Sequence, residues 1–466
     1  MKVNAIDIDE VISKAKECLE KETQLSGSFK AVIQLLILLI GMLAGRLKLN
    51  SSNSSKPPSM DPNRKRKSEN SGKKPGGQKG HKGTRLEKVA NPDIIKILEV
   101  DKNTLPPGKY QEKGFECRQV VNIEIKKVVT EYRAQILEDA KGKKYIAPFP
   151  QGVNSDIQYG NSIKAHSVYL SQFQLLPYNR IAEYFEGQGI FLSPGSIFNF
   201  NQEAFELLKI FDGIAKKHLI NSAVLHSDET GVNINGKREW LHLASNPLWT
   251  YYYPHGKRGS EAMDAIGILP NFSGVLCHDH WKPYYKYKCF HALCNAHHLR
   301  ELERVIEIDK HKWAQQMQDL LVQANEEVTK SGGSLSFERS EEYRKKYRQI
   351  LKDGDIESPL PLRVDQKRGK IKKTFSRNLL ERLREYEEDT LRFMENPLVP
   401  FTNNLGENDL RMTKVQQKIS GCFRSIEGAY FFCLTRSYLS TCRKHGMSAD
   451  EGLKILFDGK LPSFCQ

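Results

Sequence analysis

The sequence predicts an α/β protein built around a mixed sheet, and three observations predict it. Three β-rich stretches, "AVLHSDE", "KREWLHLAS" and "LWTYYYP", follow one another closely. Asn235 and Gly236 separate the first two, and this dipeptide is the strongest short hairpin signal because both residues tolerate the positive φ of a type I′ turn. A helical stretch near Ser260 to Leu269 then leads to "GVLCHD", a buried-type strand ending in Asp279, to "FHALCNA", another apolar strand, and to a helix from His297.

The 466 residues leave room for about three domains. Hydrophobic residues make up 39% and charged residues 27%, which argues against wholesale disorder and against a membrane bundle. Charge balance stands out: 71 basic against 56 acidic residues leave +15, an excess suited to a polyanionic partner such as nucleic acid or to an anionic membrane surface, with a solubilising charge as the plainer reading. The nine cysteines contain no CxxC pair and fit a reducing cytosol. The opening "MKVNAIDIDEVISKAKECLEKE" has no basic segment ahead of an apolar one, so no secretory signal is expected.

Element by element, residues 1–49 read as a helical oligomerisation segment. Its most apolar window, Phe29 to Leu47, is interrupted by Lys30, Gln34 and two glycines, and is too short for the ~18 apolar residues of a membrane span. Leu25, Phe29, Val32, Leu36, Leu39 and Leu43 alternate steps of four and three, the seam of a short coiled coil; a buried core helix is the other reading. Residues 50–90 are polar and rich in Ser, Gly, Pro and Lys, and cannot bury enough surface to offset their ordering entropy. A flexible basic arm is expected there, with Lys73, Lys74, Lys79, Lys82 and Arg85 among the side chains available to phosphates.

Residues 91–155 read as a small β-rich domain, because "RQVVNIEIKKVVTEYRAQIL" alternates apolar and polar residues in stretches. Residues 156–218 read as a helical domain in which Ser193 caps a helix beginning at Pro194, either as a helix-turn-helix or as an ordinary helical hairpin. The strands described above fall in 219–305, a helical insertion in 306–395, and further helices in 396–466.

The order βββαβ followed by a helix is that of a ribonuclease-H-like fold, in which the first and fourth strands lie side by side. Asp228 and Asp279, at or near the carboxyl ends of those strands, would then come within a few ångströms of each other and repel unless a proton or cation intervenes. Magnesium, a hard cation that takes oxygen ligands, is the natural occupant. A third carboxylate is offered by "FTNNLGENDLRMTKVQQKISGCFRS": on a helix, Asn403, Glu407 and Arg411 recur at four-residue steps, with Asn404 and Lys414 nearby. Asp409 is turned away by about 200° and is the poorer candidate. An ordinary Glu–Arg surface pair is the competing reading of Glu407.

The stretches "HSDETGVNINGKREWLHLAS", "VLCHDHWKPYYKY", "HALCNAHHLREL" and "FTNNLGENDLRMTKVQQKISGCFRSIEGAYFFCLTRSYLSTCRKHG" resemble the IS66 family of DDE transposases, as do "NSSKPPS" and "KKPGGQKGHKG". These blocks cover most of the chain in family order. The resemblance implies a catalytic, metal-binding triad at Asp228, Asp279 and Glu407. It also implies two Mg²⁺ ions, with Mn²⁺ able to substitute, and Mg-dependent DNA strand cleavage and strand transfer at insertion-sequence ends. Arg411, Lys414 and Lys418 would steady scissile phosphates, while the basic arm and the small domains would hold DNA. A homo-oligomer on terminal repeats and target DNA, small accessory transposition proteins, and a cytoplasmic, nucleoid-associated location are further expectations. A nuclease that cuts without joining, and a DNA-binding regulator or inactive relic, are the alternatives.

One departure from the family concerns zinc. Members often pair cysteines around the basic arm and β-rich segment, which makes that region zinc-finger-like, but only Cys117 is present here. A structural zinc is therefore not expected there. Cys289, His291, Cys294, His297 and His298 form a second metal-like group, lying partly along a strand where alternate residues face opposite sides. Soft-metal ligation and buried thiols beside helix-starting histidines both remain open for it.

Overall fold

The computed structural model describes residues 2–3, 6–22, 24–47, 49–54, 61, 86–361 and 371–466. They divide into one unit of Met1–Arg64 with Tyr132–Gln466 and another of Lys65–Glu131. Lys73, Lys74, Lys79, Lys82 and Arg85 of the basic arm lie outside the described residues.

At the start of the larger unit, β1 (Lys2–Val3) pairs with β2 (Ile6–Asp7), and α1 (Ile8–Lys21) is followed by α2 (Gly27–Leu47). On α2 the seam residues Phe29, Val32, Leu36, Leu39 and Leu43 are exposed, while Ile37 and Ala44 are buried. Among the described residues no helix is long and apolar enough to cross a membrane.

The β-rich expectation for residues 91–155 needs correction. Only β3 (Ile136–Glu138) and β4 (Lys144–Ile146) pair there, and between 86 and 131 the described chain carries a single 3-10 turn, Lys102–Thr104. Val120, Val121, Ile123, Val128 and Val129 are all exposed. Alternation supplies a two-faced ribbon, but a strand also needs a neighbour for its N–H and C=O groups and a layer to pack against. The described chain of this smaller unit supplies neither.

Four helices precede the main sheet: α3 (Asn161–Val168), α4 (Tyr178–Glu186), α5 (Pro194–Leu207) and α6 (Lys209–Ile220). The Ser193 side chain accepts the Ser196 N–H, so the cap and the proline at the first turn of α5 are where the sequence places them.

The main sheet contains β5 (Val224–Ile234), β6 (Lys237–Ser245), β7 (Thr250–His255), β8 (Val275–His278) and β9 (Phe290–Leu293), in the order β7-β6-β5-β8-β9. The β5–β6 hairpin turns on Asn235 at φ 48 and Gly236 at φ 76, the conformation that this dipeptide favours. After β7, α7 (Ser260–Ile266) crosses to β8, which pairs in parallel with β5 from Val224↔Val275 to His226↔Cys277. The first and fourth strands are therefore neighbours, and β9 continues the parallel ladder.

Next come α8 (Asn295–Arg304), α9 (Lys312–Lys330), α10 (Phe337–Glu357), α11 (Phe375–Glu385) and α12 (Glu387–Leu391). Their core gathers Trp313, Met317, Tyr347, Leu351, Leu380 and Leu383, and reaches the sheet through Val224, Val275 and Cys277. The arginines here are engaged by carboxylates. Arg344 is buried and pairs with Glu388 at 2.7 Å and Glu395 at 2.7 Å; Arg348 pairs with Glu387, and Arg377 with Asp355 and Glu381. These pairs tie the helices of the insertion to one another.

Finally α13 (Asn404–Ser420), α14 (Ile426–Lys444) and α15 (Ala449–Phe457) return to the sheet. Helix α14 covers the β7 edge: Ser437 Oγ accepts the Tyr252 N–H at 2.8 Å and Thr441 Oγ1 accepts the Thr250 N–H at 3.2 Å. An edge strand otherwise left with unpaired amides is thus closed by hydroxyls.

Gly354, in the last turn of α10, gives a test of this packing. A Cβ there would collide with Leu380 and lie 3.0 Å from Trp313 Cγ. At an exposed helical site Gly→Ala would gain about 1 kcal/mol. Here overpacking reverses the sign, and Gly354→Ala is expected to lose about 1–3 kcal/mol in denaturant unfolding.

Candidate active site

The parallel ladder between β5 and β8 ends at His226↔Cys277, and two carboxylates stand just beyond it. Asp228 follows two residues later, still within β5 because that strand continues to Ile234 against β6. Asp279 follows the last residue of β8, where the chain turns through His280 at φ 71 and the Trp281 N–H returns to Asp279 Oδ1 at 3.2 Å. The expected strand-end placement thus holds for Asp279. For Asp228 only the β8 side of the strand has ended.

Glu407 comes from the first turn of α13. Its backbone N–H donates to Asn403 O at 3.1 Å, and Asn403 ties this helix end to the sheet. Asn403 is 2% exposed; its Nδ2 donates to Ser227 O at 2.9 Å, and its Oδ1 lies 2.7 Å from His226 Nδ1. With Nδ2 donating, Oδ1 must accept, which assigns the His226 proton to Nδ1. Burial pushes the His226 pKa down, consistent with a neutral ring in this role. The Asn403 N–H also donates to Cys294 Sγ at 3.2 Å, and the Asn295 N–H to Phe401 O at 3.1 Å. Gly406 permits the arrangement, since a Cβ there would lie 3.0 Å from Asn403 Oδ1.

Electrostatics record the convergence. The Asp228 pKa is raised well above its ordinary value, first by burial, then by the charges of Glu229, Asp279 and Glu407. The Glu229 N–H, donating to Asp228 Oδ1 at 2.8 Å, opposes the shift without cancelling it. A site that crowds carboxylates in this way suits a hard divalent cation, with oxygen donors supplied by Asp228, Asp279 and Glu407.

Glu229 has a different environment. Arg258 grips its Oε1 through Nε at 2.8 Å and Nη2 at 2.6 Å, and Tyr284 OH donates to its Oε2 at 2.6 Å. The second acid of the DE pair is therefore held by its own partners, although burial and the Asp279 charge still push its pKa up. Asp409 likewise faces away, paired with Lys444 at 2.7 Å. Glu407 is flanked instead by His297 Nδ1 at 3.8 Å and Arg300 Nη2 at 3.9 Å.

Of the expected cationic side chains, Arg411 and Lys418 are exposed on α13. Lys414 is also exposed and reaches Gly231 O at 3.3 Å. The Cys/His group is split: His291 Nδ1 lies 3.0 Å from His278 Nε2, and His298 Nδ1 lies 3.0 Å from Asn295 Oδ1. Only Cys294 and His297 turn toward Glu407. Cys117 is exposed, and Cys289 is half-buried away from that trio.

The Transposase IS66 family model matches residues 156–430, a span that contains every strand of the main sheet and all three converging carboxylates. This chain belongs to the IS66 transposase family. Residues 2–87 match a second family, of unknown function (DUF6444). No curated protein matches the chain.

In this IS66 transposase, reading the residues alone missed Arg258, Tyr284 and Arg300, and gave no role to His226. The signal available for Arg258 was the DE pair itself, because two adjacent acids near a third need a buried counter-cation. Nothing local singled out Arg258 among the chain's 71 basic residues.

Two outcomes are expected. Asn403→Ala leaves the His226 Nδ1–H and Ser227 O without partners, each costing about 1–3 kcal/mol, so chemical denaturation should show a loss of at least that size. Because the folded pKa of Asp228 is raised, the stability linked to its protonation is present at low pH and is lost as pH rises through that folded value. Asp228→Asn removes this loss. Without metal it should melt above the wild type at about pH 8, with the gap narrowing toward about pH 4.

Proposed function

We propose that this protein is a DDE transposase that binds insertion-sequence ends and performs Mg-dependent strand cleavage and strand transfer, on a ribonuclease-H-like core. The observation that carries the reading is the convergence of Asp228, Asp279 and Glu407 from β5, the end of β8 and α13. Membership of the IS66 family supports the same chemistry.

Asp228, Asp279 and Glu407 would hold the cation through oxygen. When bound, a divalent metal supplies Lewis acidity, lowering the pKa of an attacking water or 3′-hydroxyl and stabilising a leaving oxygen. The protein's own groups do the positioning. Asn403 and His226 fix the start of α13 and with it Glu407, so the third carboxylate meets the other two without a large reorganisation. Arg258 and Tyr284 hold both oxygens of Glu229, which leaves Asp228 and Asp279 as the acids proposed to take the cation. The exposed cations Arg411, Lys414 and Lys418 give α13 a face for backbone phosphates, which position DNA without reading sequence. No side chain needs to become a covalent intermediate.

The smaller elements fit the same picture. The exposed α2 stripe is the proposed surface for pairing two copies, and the basic arm, through Lys73, Lys74, Lys79, Lys82 and Arg85, the proposed track for DNA. Residues 156–218 are the proposed helical DNA-binding domain.

Labelled element-end DNA incubated with protein and Mg²⁺ tests the reading. Joined products are expected. Nicking without joining would indicate a nuclease, and binding without metal-dependent breakage a regulator. Asp228→Ala, Asp279→Ala and Glu407→Ala should each reduce strand cleavage at least about a thousandfold, equivalent to about 4 kcal/mol of barrier, while DNA binding in a gel-shift assay persists.

A further inference from the structure

Where β9 passes into α8, the chain places a thiol and an imidazole beside the third carboxylate. Cys294 is the residue before the first turn of α8, and its N–H donates to His278 O at 2.9 Å. His297 lies within that first turn, with its N–H on Cys294 O at 3.0 Å. Both side chains approach the same oxygen: Cys294 Sγ is 3.8 Å from Glu407 Oε1, and His297 Nδ1 is 3.8 Å from it. One ligand atom from each of the three lies within 4.8 Å of the others. His297 Nδ1 is buried and has no hydrogen-bond partner.

These separations can be compared with those of a tetrahedral zinc site. Zn–S near ~2.3 Å, with Zn–N and Zn–O near ~2.0–2.2 Å, place sulfur about 3.6 Å and nitrogen about 3.4 Å from a coordinated oxygen. Both separations from Oε1 stand within a few tenths of an ångström of those values, and the third pair, sulfur and imidazole nitrogen, lies within 4.8 Å. Side-chain rotation is the adjustment that closes the remaining gap. Arg300 approaches Glu407 Oε2, at 3.9 Å, and leaves Oε1 to the other two ligands.

We propose that Cys294, His297 and Glu407 form a site for a soft divalent cation of the zinc class, with a fourth position open to water. Sulfur and imidazole nitrogen select against magnesium, which prefers oxygen, and in favour of zinc. On binding, the Cys294 S–H bond is replaced by an S–Zn bond and the proton passes to solvent; no electron is transferred. The short Cys294–His297 spacing is held by α8 and the β9 end, and Asn403 fixes the α13 side through its N–H on Cys294 Sγ. Because Glu407 is shared, occupancy at the soft site keeps its Oε1 committed to Cys294 and His297 and withholds it from the cation of Asp228 and Asp279. Zinc is then an inhibitor of the Mg-dependent chemistry; this consequence rests on the function proposed above, whereas zinc binding itself does not.

The full-length protein, without DNA or magnesium, is titrated with Co²⁺ as a spectroscopic stand-in and then with Zn²⁺. A thiolate-to-cobalt charge-transfer band is expected, displaced by zinc and absent from Cys294→Ser. A band that survives Cys294→Ser belongs to another cysteine and overturns the site. His297→Gln and Glu407→Gln are expected to weaken zinc binding at least tenfold by calorimetry. They carry the test if the cysteine variant does not fold, and unchanged affinity in both overturns it. A cleavage assay on element-end DNA with Mg²⁺ in excess separates the two readings. Zinc should inhibit the wild type, and His297→Gln, measured against its own uninhibited rate, should resist. A cobalt band without any Mg-dependent cleavage overturns the proposed function alone; cleavage without a Cys294-dependent band overturns the zinc site alone.

Discussion

The site depends on one buried amide. Asn403 stands at the start of α13 and makes two side-chain connections that no apolar residue could supply, to Ser227 O and to His226 Nδ1, while its backbone N–H adds a third, to Cys294 Sγ. Each is to a group with little or no access to water, so loss of any one leaves an unsatisfied polar atom in a low-dielectric interior. Their directions matter as much as their energies. They fix the first turn of a helix against the point where the parallel ladder stops, and Glu407 lies one turn further on. Without that anchor the third carboxylate would be a surface acid on a helix end.

Charge is managed by sorting. Four acids gather near one another, and the structure separates them into two kinds. Glu229 is sealed by Arg258 and Tyr284, and Asp409, further along α13, is sealed by Lys444. Asp228 receives only a backbone amide, and burial raises its pKa well above the usual range; burial raises that of Glu229 too, against the pull of its partners. An uncompensated buried carboxylate is costly in a free protein, and a fold retains it where a cation or substrate removes the cost. The same sorting disposes of arginines in the helical insertion, where Arg344 is enclosed by Glu388 and Glu395. A basic stretch in sequence can thus be paired internally in space.

Several elements were legible because their cause is local. The Asn235–Gly236 turn needs only two residues that accept positive φ, and the Ser193 cap needs only a hydroxyl ahead of Pro194. The adjacency of the first and fourth strands followed from element order, since a helix between parallel strands constrains how the sheet closes. Helical phase set Asp409 aside, and Asp409 is paired with Lys444. Residues 118–133 were misread because alternation reports two faces and says nothing about whether a neighbouring strand exists. The division of Cys289, His291, Cys294, His297 and His298 into four environments was equally invisible, since a strand passing into a helix sends neighbouring side chains in unrelated directions.

By itself the sequence determined which chemistry was available: an α/β order of elements, a basic chain, and acids at positions that a mixed sheet and a later helix could bring together. Tertiary structure decided which of those acids remain unpaired, through partners that lie far away along the chain. His226 and Asn403 are 177 residues apart, and no periodicity connects them. Local patterns encode turns, caps and faces because their energies arise within a few residues. The pairing of a buried acid with its arginine, or of an amide with its histidine, is set only when the chain has closed and water has left.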